Sequence, residues 1–64
     1  MEQRERAESV RHEIGNMLTI AQANLEAMLD GVVEPTLDRL EGVRDALASA
    51  SEQLKELAAV MREL

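Results

Sequence analysis

The sequence predicts an all-α protein, an antiparallel helical hairpin that homodimerises into a four-helix bundle. Three observations predict it. Ala, Glu, Lys, Leu and Arg make up more than half of the 64 residues, the composition of long helices and coiled coils. Apolar residues recur in steps of three and four along both halves of the chain, the period of one helical face. A single break, Asp30-Gly31-Val32-Val33-Glu34-Pro35, separates the halves with residues that stop one helix and start the next.

Helix 1 is predicted over about residues 2–30. It opens with the charged run Glu2-Gln3-Arg4-Glu5-Arg6-Ala7-Glu8-Ser9, and its stripe is Ala7, Val10, Ile14, Met17, Leu18, Ala21, Leu25, Met28 and Leu29. The loop is predicted at 31–34. Gly31 tolerates the left-handed conformation that closes a helix, and Pro35 suits the first turn of the next. Helix 2 is predicted over about 35–63, with the stripe Leu37, Leu40, Val43, Leu47, Ala50, Leu54, Leu57, Met61 and Leu64. At about 1.5 Å per residue each helix is about 40 Å long. On a wheel the stripe of helix 1 fills a sector of about 120–140°, wider than the seam of a two-stranded coil. One partner helix cannot cover it, and an uncovered apolar stripe of that length is an association site. Pairing of two hairpins about a two-fold axis is the simplest closed solution.

The same composition excludes several functions. The chain has no Cys, no aromatic residue and one His, with a formal net charge of −6. There is no disulfide framework and no zinc ligand set. An acidic chain without stacking side chains is a poor partner for nucleic acid or anionic membrane surfaces. No apolar run approaches a membrane span or a signal-peptide core, so no membrane contact by this segment is expected and the expected location is cytoplasmic. No Gly-rich loop cradles a nucleotide, so no cofactor is expected in this chain and no metal site.

One residue does not fit a plain bundle. His12 lies about 170° from the centre of the apolar sector, facing solvent, with Glu8, Asn16 and Thr19 on the same face. The run Val10-Arg11-His12-Glu13-Ile14-Gly15-Asn16-Met17-Leu18-Thr19 resembles the phosphoacceptor box of dimeric sensor histidine kinases of two-component signalling, H-E-x-x-N/T-P-L-T. His12, Glu13, Asn16, Leu18 and Thr19 match in register. The resemblance spans the whole chain, since the dimerisation and histidine-phosphotransfer domain of that family is a helical hairpin of this size with its box one-third along the first helix. Met17 stands where the family usually has Pro, and Gly15 where a basic residue is common.

The resemblance implies a catalytic set of His12, Glu13 and Asn16. A neutral imidazole keeps an unprotonated nitrogen, so His12 is the nucleophile that receives the γ-phosphoryl group of ATP. Glu13 takes a hydrogen bond from the other ring nitrogen and accepts its proton; the plain alternative is a solvated acid. Asn16 orients water when the regulator's phosphoaspartate is hydrolysed, or is an ordinary exposed polar residue. Gly15 leaves room for an incoming ATP-binding domain or is a tolerated surface glycine, and Thr19 matches the box or is helix surface. Ile20, Ala23 and Ala27 lie outside the apolar sector as a small nonpolar strip, a docking surface for a response-regulator receiver domain or scattered surface residues. With Met17 in place of Pro the backbone ladder is uninterrupted, and helix 1 is expected to be straight.

The implied function is the phosphoacceptor and dimerisation domain of a protein histidine kinase. ATP with Mg belongs to a separate ATP-binding kinase domain expected after Leu64, and the phosphoryl group passes to an aspartate of a response regulator. The alternative from another class is a non-catalytic structural or adaptor hairpin that mediates dimerisation, with His12 incidental. A monomeric phosphotransfer bundle needs four helices in one chain, more than this length supplies.

Overall fold

Residues 2–63 are described by a computed structural model. Helix α1 spans Glu2–Leu29 and helix α2 spans Leu37–Arg62. They pack antiparallel along their length as a rod of 45 × 15 × 11 Å. Leu64, the last residue assigned to the second stripe, lies outside the described residues.

The connection is longer than the sequence suggests, since the loop covers residues 30–36 rather than 31–34. Gly31 takes φ 79°. The Val32 amide donates to the Ala27 carbonyl at 2.9 Å and the Gly31 amide to Met28 at 3.3 Å, the paired bonds by which a left-handed residue seals a helix end. Pro35 does not enter α2. Thr36 is the N-cap, extended at φ −82° and ψ 160°, and its side-chain oxygen accepts from the Arg39 amide at 3.2 Å. A hydroxyl one residue after the proline satisfies an orphan amide of the first turn, so the helix begins at Leu37. The Arg39 guanidinium also donates to the Glu34 carbonyl at 2.9 Å, tying the loop to that first turn.

The seam between the helices is built from small side chains. Buried are Ala7, Val10, Ala21 and Met28 of α1, and Val43, Ala46, Ala50 and Val60 of α2. Ala21, Met28, Val43 and Ala46 form one cluster near the loop, and Val33 folds back onto it. Ile14, Met17 and Leu57 are half-buried beside the seam. Ala46 and Val60 stand outside the stripe read from sequence, and the leucines take the opposite fate. Leu40, Leu47, Leu54 and Met61, seven residues apart, stay 46%, 45%, 57% and 53% exposed. On α1 the row Arg4, Arg11, Leu18 and Leu25 has the same spacing, with Leu18 and Leu25 at 47% and 38%.

These two rows share one flank of the hairpin. Arg4 and Arg11 line a single groove with Leu57 and Met61, whereas the opposite flank carries Arg6 against Glu56 at 3.5 Å and Glu13 against Gln53 at 2.9 Å. Exposed at 61% and 46% on its two side chains, the Arg6–Glu56 pair is worth little. The chain exposes 4970 Å², whereas a compact monomer of 7.1 kDa exposes about 4,100 Å². Most of the predicted stripe is thus only partly covered by the partner helix.

Replacing the cap tests the account of the turn. Thr36→Ala is expected to lower unfolding stability by about 1 kcal/mol, read as a lower urea midpoint at unchanged slope, while Pro35→Ala, outside the helix, costs less.

Candidate functional site

His12 sits on the row of α1 farthest from the seam, with Glu5 and Thr19 one heptad to either side, all exposed. Position 12 is turned outward because Ala7, Val10 and Ile14 claim the inner face. His12 borders an open surface groove with Glu5, Glu8, Ser9, Glu13 and Asn16. Three of those five neighbours are carboxylates, so the groove is electronegative over the screening distance of about 8 Å at physiological salt. It offers proton acceptors and repels polyanions that lack neutralising cations.

Glu13 lies on the adjacent row, bordering the seam, because successive helix residues are about 100° apart. Its Oε2 accepts from the Gln53 Nε2 of α2 at 2.9 Å. Among the described residues no hydrogen bond joins His12 and Glu13, so the resting hairpin gives this carboxylate to α2 while its other oxygen is left free of protein donors. The Gln53 Oε1 is buried without a partner. Sequence reasoning passed over Gln53. Its signal is positional, a polar residue three after Ala50 and four before Leu57 on the buried face of α2.

Asn16 is exposed one turn beyond His12 in the same groove. Helix α1 runs unbroken through Met17. Thr19 is exposed and stands apart from the residues that line the groove. Of the nonpolar strip, Ile20 at 47% and Ala23 are exposed, and the Ile20 carbonyl accepts from the Asn24 amide side chain at 3.0 Å. Ala27 departs from its expected exposure and is half-buried. Its carbonyl takes both the Val32 and Val33 amides, which folds the turn back at that point and shortens the strip to Ile20 and Ala23.

A Cβ built on Gly15 meets nothing within 4 Å, so packing inside the hairpin does not require glycine there. Among the described residues no group of three or more His, Cys, Asp or Glu is placed to hold a metal ion. Among the described residues no helix is long and apolar enough to cross a membrane. No protein-family model, curated protein or solved structure matches this chain.

Open space at Gly15 generates a direct test. Gly15→Ala is expected to stabilise the hairpin by about 0.5–1 kcal/mol, the helix-interior difference between the two residues, seen as a higher midpoint in urea unfolding followed by circular dichroism.

Proposed function

We propose that this chain is the phosphoacceptor and dimerisation domain of a two-component sensor histidine kinase, with His12 as the phosphorylated residue. The observation that carries the reading is the grouping of His12, Glu13 and Asn16, in that order and spacing, around one open groove on the exposed side of α1. A nucleophile on the outermost row is accessible to two large partners in turn, a kinase domain and a receiver domain.

The chemistry needs little from the chain beyond position. The unprotonated ring nitrogen of His12 attacks the γ-phosphorus of ATP held by a separate ATP-binding domain; the bond to the bridging oxygen breaks and ADP leaves. The proton on the other ring nitrogen passes to Glu13 as the N–P bond forms. In the second transfer a receiver-domain aspartate attacks the same phosphorus, the N–P bond breaks and the ring regains a proton. The acidic groove favours the proton transfer and leaves neutralisation of the triphosphate to the kinase domain and its Mg. Asn16, one turn on, is in place to orient a water for hydrolysis of the regulator's phosphoaspartate. Ile20 and Ala23 are the part of the nonpolar strip available to the receiver domain.

Dimerisation is proposed on the flank formed by Leu18, Leu25, Leu40, Leu47, Leu54 and Met61. The chain exposes about 900 Å² more than a compact monomer of its mass, close to the area of about 800 Å² that each partner gives to a standard interface. A second copy is the occupant favoured by symmetry, since apolar residues at heptad spacing line this flank on both helices, all along the α2 row and at Leu18 and Leu25 of the α1 row.

A second reading, a non-catalytic dimerisation hairpin, is favoured by one observation: the Glu13 carboxylate is engaged by Gln53 and not by His12. The two readings part in a labelling assay. With a histidine-kinase ATP-binding domain fused after Leu64, ATP and Mg are expected to give acid-labile label on the wild type and none on His12→Gln. An unlabelled wild type, in a fusion whose domain phosphorylates its own native hairpin, overturns the phosphoacceptor reading in favour of the structural one.

A further inference from the structure

The Glu13–Gln53 contact is half of a pair. A primary amide carries one acceptor oxygen and two donor hydrogens, and a carboxylic acid facing it makes two bonds, amide N–H to carboxyl oxygen and carboxyl O–H to amide oxygen. An ionised carboxylate makes only the first. That is the arrangement here: the Gln53 Nε2 donates to Glu13 Oε2 at 2.9 Å while the Gln53 Oε1 is buried with no donor. A buried acceptor left unpaired is unfavourable, and on the inner face of α2 Gln53 stands between the buried Ala50 and the half-buried Leu57, neither of which carries a side-chain donor.

We propose that Gln53 is a positioning residue for Glu13: its amide holds the carboxylate at the seam and closes a second hydrogen bond when that carboxyl takes the proton from His12. The inference rests on the reading of His12 as phosphoacceptor. As the N–P bond forms, the ring N–H bond breaks and the proton goes to Glu13 Oε1, the oxygen that Gln53 leaves free. The new O–H donates to Gln53 Oε1, so the product of proton transfer is held by two bonds where the reactant was held by one. Loss of the proton to water resets the pair. Because Gln53 belongs to α2 and Glu13 to α1, the same contact makes the general base depend on the packing of the two helices.

The test uses the chain fused to an ATP-binding domain and reads initial rates of label on His12. Gln53→Leu is expected to lower kcat about tenfold with KM for ATP unchanged. Gln53→Glu, which keeps the size of the side chain but sets a second carboxylate against Glu13, is expected to lower kcat at least as far and serves where the leucine variant alters helicity. In a Glu13→Gln background the Gln53→Leu change is expected to alter the residual rate less than twofold, because a residue acting through Glu13 has nothing left to act on. An unchanged or raised kcat in the single variants, or an equal loss in both backgrounds, overturns the inference while label on His12 upholds the reading beneath it. No label on the wild type overturns the reading and the inference together.

Discussion

The narrowness of the seam between α1 and α2 is the constraint on which the rest depends. Half of the buried residues are alanines, and among the described residues no side chain is sealed completely from solvent. Small side chains let two helices lie close along a thin strip, but they remove little apolar area from water, and burial of apolar area is what stabilises a fold against chain entropy. The larger side chains, Leu18, Leu25, Leu40, Leu47, Leu54 and Met61, stand outside that strip on one flank. Chains of this size seldom hold a structure on so thin a core without added support. The exposed rows are the surplus, and a second copy is the support we propose.

That division of labour leaves one side of α1 free. The seam takes the inner face, the leucine rows take one flank, and His12 is left on the outermost row with Glu5 and Thr19. Glu13 is the residue that belongs to two of these regions at once, lining the groove with His12 and bonding to Gln53 across the seam. In the proposed phosphoacceptor, this arrangement keeps His12 accessible and ties Glu13 to helix packing, so a change in how the helices pack reaches the proposed site through one side chain.

Much of the fold was legible in the sequence. The helical composition, the three-and-four spacing and Gly31 led to two helices and a left-handed closure at the right residue. Pro35 misled because two start signals stand side by side: proline favours the first helical position, but Thr36 offers a side-chain oxygen to the Arg39 amide, and the cap decides where the helix begins. The apolar stripes were located, yet periodicity cannot say which part of a sector 120–140° wide turns inward, and hydrophobicity pointed to the leucines where close approach selected Ala46, Ala50 and Val60. Ala27 was misplaced because it stands on the row of Glu13 that borders the seam, at the point where the turn folds back. The outward row of His12 and Asn16 followed from the wheel alone. Gln53 did not, because its partner lies forty residues away in sequence and the pairing depends on a register that the loop sets.

The central claim, that the hairpin is half of a larger bundle, is tested most directly by the dependence of thermal unfolding on protein concentration. Folding coupled to dimerisation raises the midpoint as concentration rises, because association draws on the folded state alone. For a dimer, Tm climbs steadily from micromolar to millimolar chain and the folded mass is twice 7.1 kDa. A Tm independent of concentration, together with a folded species of 7.1 kDa, would contradict the claim.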